Sequence, residues 1–339
     1  MRSWLKQNHI LVVFGRLRLG VRLGTSSASR RAVVARQVPQ PTMKDILLGS
    51  GLRMPAMGYG VGTAWFRASE EKEVELKKCL TAALDAGFRH IDDAEMYQNE
   101  KATGEAIAQW VSRTGVAREQ LFITGKVMSV DDPGVLATCR CSLERSGLSY
   151  YDLYLVHAPF QQSGQPFQRS LKEIWAEMET LVDQGLVRAI GVSNWRVCDL
   201  EDIFADARVK PVCNQIEAHP YLQQIELLRW CQNRGVVVAA YGPLIPVTRE
   251  ELRGGPVDLP VMAAASRLGK TPAQVLLRWS LQTGRAVITT TGKPERLPQL
   301  LEVSDDFELT AEELAAISAA GASRSEFRAF WPPLRAAAA

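Results

Sequence analysis

The sequence predicts a single-domain (β/α)8 barrel, the TIM-barrel class of α/β fold. Three observations carry that expectation. Eight short apolar runs alternate with stretches of helical length after residue 45, several of those stretches stop at a glycine, and the runs end in polar residues at one consistent place. Strands of a closed parallel barrel are buried on both faces and therefore read as continuous apolar runs. A body of roughly 290 residues is ordinary for one such barrel.

The apolar runs occupy residues 57–60, 88–92, 121–126, 151–157, 186–193, 211–217, 236–241 and 286–289. Amphipathic stretches fill 71–86, 100–113, 133–146, 170–184, 197–207, 225–234 and 271–282. Gly87, Gly147, Gly185 and Gly235 follow four of these, as expected where a left-handed residue closes a helix. The polar strand ends are Asp92, Lys126, His157, the pair Ser193 and Asn194, Gln215 and Tyr241. In a barrel all these ends open onto one face, where active sites are built. Six in succession, including an acid, a lysine and a histidine, exceed ordinary strand punctuation.

Composition excludes several other classes. The chain is 46% hydrophobic and 23% charged, which rules out collagen-like, coiled-coil and disordered readings. Its formal charge of +3 hides an asymmetry. Residues 1–43 hold eight of the 40 basic residues and no acid, leaving 32 against 37 acidic residues in the body. A mildly acidic body gives no reason to expect a nucleic-acid partner. No run of about 18 apolar residues exists, so no membrane span is expected. The six cysteines include no C-x-x-C, and four histidines include no H-E-x-x-H, so no metal site is expected and the thiols read as reduced.

Residues 1–42 form a basic extension with the Arg- and Ser-rich composition of a mitochondrial presequence. A tail without structure, or a start placed too early, fits the same composition. The barrel is expected over 43–325, followed by a C-terminal tail over 326–339.

One motif makes the chemistry specific. Residues 88–100 read F-R-H-I-D-D-A-E-M-Y-Q-N-E, with an acid at a strand end and a tyrosine five positions later. L-F-I-T-G-K (121–126), Y-D-L-Y-L-V-H (151–157), I-G-V-S-N-W (190–195), N-Q-I-E-A-H-P-Y-L (214–222) and A-Y-G-P-L (240–244) follow in order. Together these segments resemble the aldo-keto reductase family from about residue 47 to 321. The resemblance implies an NADPH-dependent reductase of small carbonyl compounds, monomeric and cytoplasmic like many members.

Carbonyl reduction needs hydride at carbon and a proton at oxygen. Tyr97 is the phenolic acid of the matched pattern, but an unperturbed phenol titrates near pH 10. A Lys126 ammonium nearby is expected to favour phenolate and lower that value, with Asp92 holding the lysine charged and His157 fixing the carbonyl. By resemblance, Ser193, Asn194 and Gln215 bind the nicotinamide carboxamide, the Tyr241 ring stacks on the nicotinamide, and Gly242, Pro243 and Leu244 follow in the same cofactor segment. His90 and His219 read as structural. G-Y-G-V-G-T (58–63) falls short of a dinucleotide fingerprint because Thr63 replaces its last glycine, and Trp195 spoils a nucleophile elbow at 191–195.

Two departures from the family pattern stand out. After the eighth strand, V-I-T-T-T-G-K-P-E-R (287–296) places Thr290 where many members carry lysine. Lys293 is expected to supply the lost charge and Arg296 matches the family's adenosine-phosphate arginine. With hydroxyls from Thr290 and Thr291, this suits the 2′-phosphate of NADPH. Gln299 and Leu300 replace the usual acid and amide near the adenine. His157 is followed by Ala158 rather than the tryptophan of many relatives, and the first strand continues G-V-G-T-A-W-F. These segments resemble fungal reductases of α-keto amides and conjugated polyketones, with Trp65, Phe66 and Phe160 as expected pocket walls. The alternatives are oxidation of a sugar or polyol with NADP+, and a cofactor-sensing regulatory barrel subunit.

Overall fold

The hairpin that opens the structure plugs the bottom of a barrel. The computed structural model describes residues 45–304 and 307–336. The basic segment 1–42 and its import-signal reading lie outside them. Strand β1 (Asp45–Leu47) pairs antiparallel with β2 (Arg53–Pro55). Leu48 and Met54 from this hairpin are buried against Phe122, Leu153 and Ala286 at the N-terminal end of the barrel.

Eight parallel strands then close on themselves. They are β3 (Met57–Gly60), β4 (His90–Asp92), β5 (Phe122–Val127), β6 (Leu153–Val156), β7 (Ile190–Ser193), β8 (Cys213–Glu217), β9 (Val237–Tyr241) and β10 (Arg285–Thr289). Closure runs through the pairing of Val287 with Met57. The eight expected runs thus each correspond to one strand, with β5 and β10 reaching one residue beyond their runs and others shorter where a run extends into its loop. Residues 88–92, for example, give only His90–Asp92.

Helices α1 (Glu70–Ala86), α2 (Glu100–Thr114), α3 (Val135–Ser146), α4 (Leu171–Asp183), α5 (Val197–Phe204) and α6 (Ile225–Gln232) connect successive strands. Their apolar stripes, such as Leu76, Leu80 and Leu84 of α1, bury against the outer faces of the strands in the largest core cluster. Gly147 closes α3 at φ +66°, donating its N–H to Glu144 and Leu143.

The periodicity of the sequence assigns no element to residues 242–270. The structure places α7 (Ile245–Thr248) and α8 (Asp258–Leu268) there, ahead of α9 (Pro272–Gln282). Helices α10 (Leu297–Leu301), α11 (Ala311–Ala322) and α12 (Pro333–Ala336) follow β10. Val261 of α8, Trp279 of α9 and Ile317 of α11 build a second core. All described residues fall in one compact unit, so the body is a single domain.

Candidate active site

Register puts the polar strand ends together. Gly60 pairs with Asp92, Lys126 with Leu155 and Ser193 with Gln215, so these positions share the C-terminal mouth. Asp92 and Lys126 are nearly fully buried there. The Lys126 Nζ donates to Asp92 Oδ1 at 2.6 Å, to the Asp93 carbonyl at 2.9 Å and to Tyr97 Oη at 3.2 Å. Gln215 Nε2 donates to the other Asp92 oxygen at 2.7 Å, leaving that carboxylate bonded on both sides.

Tyr97 ends a 3-10 turn, Glu95–Tyr97, directly after β4. Two side chains hold this turn. The Glu95 carboxylate accepts from Met128 N at 2.9 Å and Ser129 Oγ at 2.5 Å, tying it to the end of β5. Asn99 Nδ2 donates to the carbonyls of Val61 and Trp65 at 2.8 and 3.2 Å. Gly62 supplies the seat: a Cβ there would lie 2.6 Å from Tyr97 Cζ. The glycines of 58–63 therefore serve close packing of strand and tyrosine. The His157 ring stands 5.7 Å from the Tyr97 ring, edge-on.

Charge is arranged unequally in this cluster. Burial disfavours the Lys126 ammonium, but Asp92 and Tyr97 outweigh burial and raise its pKa above the ordinary lysine value. Tyr97 corrects the sequence expectation. Burial pushes its phenol up to about 12, and the opposing pull of Lys126 does not overcome it. The group is held as a neutral O–H donor rather than poised as phenolate. His157 is driven well below the usual histidine range by burial and by Lys126, so it is neutral, and its Nδ1 has no protein partner. Asp93, the second acid of the same motif, is pushed up to about 7 by burial and by Glu100. His90 is structural, with Nε2 2.9 Å from Thr124 Oγ1.

Above the cluster opens a cavity of about 860 Å³. Asp92, Tyr97, His157, Ser193, Gln215 and Tyr241 line it, as do Gly242, Pro243 and Leu244. Asn194, at φ +63°, stands behind them: its Oδ1 accepts from Tyr241 Oη at 2.7 Å and its Nδ2 donates to the His157 carbonyl at 2.9 Å. It faces a neighbouring cavity of about 730 Å³ instead. Ser193 Oγ donates to the Gln215 carbonyl at 2.7 Å.

The residues around the cavity fit a nicotinamide cofactor. Thr290 lines the cavity with a buried hydroxyl that has no protein partner. Beyond it, Lys293 and Arg296 are exposed and carry no ion pair among the described residues. Thr291 Oγ1 accepts from Lys293 N at 3.1 Å, which folds the loop that carries both cations. An orphaned hydroxyl and two unpaired cations fit an anionic group at this end, and the half-buried Tyr241 ring fits a flat heterocycle at the other.

The substrate walls need correction. Phe66 lines the cavity, 6.3 Å from Tyr97. Trp65 does not: it is buried in the core against Tyr59, because the turn after β3 points it inward. Phe160 is also outside, packed 5.9 Å behind Trp331. The residues in their place are Phe330 and Trp331, from the segment read as a tail. Trp331 lies 5.5 Å from the His157 ring, in the space left by the small, fully buried Ala158. No local signal in the sequence marks them, since their partners lie far away in the chain.

A closed parallel barrel carrying this acid–lysine–tyrosine cluster at its mouth defines the class, a (β/α)8-barrel oxidoreductase. The chain belongs to the aldo/keto reductase family, whose model matches residues 56–322. It is 39% identical over 275 residues to the uncharacterized oxidoreductase YtbE of Bacillus subtilis, covering 80% of this chain and 91% of that protein. It is 36% identical over 296 residues to the NADP-dependent D-sorbitol-6-phosphate dehydrogenase of Malus domestica, covering 81% and 93%. Among solved structures it resembles the Bombyx mori aldo-keto reductase in complex with NADP, with a TM-score of 0.75, 32% identity and coverage of 82% and 92%.

Proposed function

We propose that the chain is an NADPH-dependent carbonyl reductase in which Tyr97 is the proton donor. The observation that carries this reading is the Lys126 ammonium bonded at once to Asp92 and to Tyr97 Oη beneath an open cavity. NADPH bound in the cavity would supply hydride. Tyr241 would hold the nicotinamide ring, with Asn194 bracing its hydroxyl from behind, and Ser193 and Gln215 would hold the carboxamide, with Gly242, Pro243 and Leu244 alongside. Thr290, Thr291, Lys293 and Arg296 would hold the phosphate end. The solved relative in complex with NADP supports that choice.

Tyr97 and the neutral His157 both face the cavity and would hold the substrate carbonyl by hydrogen bonds. As negative charge develops on that oxygen, the Tyr97 proton moves to it. Lys126 stabilises the phenolate left behind, and Asp92 keeps the lysine charged and aimed. Neutral His157 donates without competing for the proton.

The substrate class proposed is a ketone or aldehyde, with α-keto amides and conjugated polyketones first to be tried on the strength of the G-V-G-T-A-W and T-T-T-G-K-P-E-R segments. A reverse reading, polyol oxidation with NADP+, is favoured by the sorbitol-6-phosphate dehydrogenase relative. Among the described residues no helix is long and apolar enough to cross a membrane. A monomeric, cytoplasmic protein with a basic extension at 1–42 completes the proposal. Loss of NADPH absorbance on adding a panel of keto compounds to the purified chain tests it. Absence of turnover with every compound, and of NADP+ reduction with polyols, would overturn it.

A further inference from the structure

Glu217 ends β8 fully buried and does not line the cavity. Its carboxylate reaches the C-terminal segment instead. One oxygen accepts from Ala329 N at 2.6 Å and the other from Phe330 N at 2.9 Å. His219 Nε2 lies 3.3 Å from the first oxygen, and its ring is 6.5 Å from that of Phe327. The Phe327 N–H donates to the Tyr221 carbonyl at 3.0 Å. The segment is thus tied at Phe327, Ala329 and Phe330 to the end of β8 and the loop that follows it.

The tie has a consequence at the cavity. Holding two consecutive amides fixes both the register and the direction of the chain at Phe330. That ring then packs 5.7 Å from Tyr241. The next residue, Trp331, takes φ +50°, a left-handed turn that sends its indole 5.5 Å from His157. Both rings line the cavity. A carboxylate accepting two backbone N–H groups makes charge-assisted bonds, and losing it leaves two amides without partners.

We propose that Glu217 is a positioning residue for substrate selectivity, fixing the main chain at Ala329 and Phe330 so that Phe330 and Trp331 present an aromatic wall to carbonyl compounds with flat apolar substituents. This rests on the reductase reading above. Glu217 touches no reacting group; it acts through the segment it holds. An aromatic aldehyde gains from the wall, whereas a small aliphatic aldehyde does not reach it.

Three variants of the full chain test this: Glu217→Gln, Glu217→Ala and Trp331→Ala, with benzaldehyde and propanal as probes. Glu217→Gln keeps one carbonyl acceptor but turns an NH2 toward the second amide, so hydrogen exchange at Ala329 and Phe330 is expected to speed up by about tenfold or more. Glu217→Ala is expected to raise KM for benzaldehyde relative to propanal by about tenfold, with the change in KM rather than kcat. Trp331→Ala should shift the same ratio, and the double variant should lose more than Trp331→Ala alone, because Phe330 still depends on Glu217, but less than the two single losses combined. Equal losses for both aldehydes, additive losses in the double variant, or unchanged amide exchange would each overturn the proposal. If Glu217→Ala does not fold, Glu217→Gln and Trp331→Ala carry the same readouts. Wild type that turns over neither aldehyde, nor any other carbonyl, sinks the reductase reading, while the exchange result still decides whether Glu217 holds the segment.

Discussion

Lys126 Nζ lies 3.2 Å from Tyr97 Oη although the two residues come from different strand ends, one inside β5 and the other in the turn that follows β4. The same ammonium is 2.6 Å from Asp92. Lys126 therefore joins an acid that keeps it charged to a phenol that burial keeps protonated. Replacing it with methionine removes the charge from a site of nearly the same shape. Lys126→Met is expected to lower kcat by on the order of 10²-fold or more. Steady-state kinetics at saturating NADPH would show it; a loss under threefold would remove Lys126 from the proton-transfer cluster.

Asp93 gives a pH-dependent prediction with a definite sign. Its folded pKa is pushed up to about 7, against an ordinary value of 3.8. Between those values the folded state holds a proton that the unfolded chain has released, so this group's contribution to stability declines as pH rises through the window. Above pH 7 a charged carboxylate remains buried. Asp93→Asn preserves an acceptor for Ala94 N, which donates to Oδ1 at 2.7 Å. Urea unfolding should find the variant stabilised more at pH 8 than at pH 5, by on the order of 2–4 kcal/mol. An equal effect at both pH values would contradict the assignment.

Cofactor discrimination should reside in the loop after β10. Lys293 and Arg296 are exposed in the loop that follows Thr290, whose hydroxyl has no protein partner. If both meet a 2′-phosphate, Arg296→Ala should weaken NADPH by about tenfold to a hundredfold and NADH little. Lys293→Ala should do the same to a smaller degree, because a flexible ammonium is partly replaced by water and salt. Fluorescence titrations with both cofactors separate the cases, and equal effects on the two would refute a phosphate contact.

At the opposite end of the barrel, Asp152 is fully buried and accepts from Arg118 Nη1 at 2.8 Å, Arg188 Nη1 at 2.9 Å and Ile123 N at 2.9 Å. Asp152→Ala leaves a buried amide and two guanidinium groups without their acceptor. A stability loss of about 3 kcal/mol is expected, discounted because Arg188 is half-exposed. Turnover of the folded fraction should stay near that of wild type. A urea midpoint within error of wild type would show that the network contributes nothing.

The barrel was readable because a strand buried on both faces has little choice of residue. The runs at 121–126 and 236–241 announce themselves without any long-range information, and Asp92, Lys126 and His157 mark the ends of theirs. Three things were hidden. Trp65 looks like a wall residue in sequence, but one turn of the chain after β3 decides that it faces Tyr59 in the core. Tyr97's phenol depends on how deeply the closed barrel buries it, a quantity no motif contains. Phe330 and Trp331 are placed by Glu217, 113 residues before Phe330, so no local pattern assigns them to the cavity.

Removing the Tyr97 hydroxyl tests the central claim most directly. Tyr97→Phe keeps the ring that packs on Gly62 and His157 and deletes only the proton donor. Single-turnover reduction, measured alongside NADPH binding on the same sample, should fall by on the order of 10²–10⁴-fold while the NADPH Kd changes less than about twofold. Reduction within threefold of wild type, with NADPH still bound, would contradict Tyr97 as the general acid.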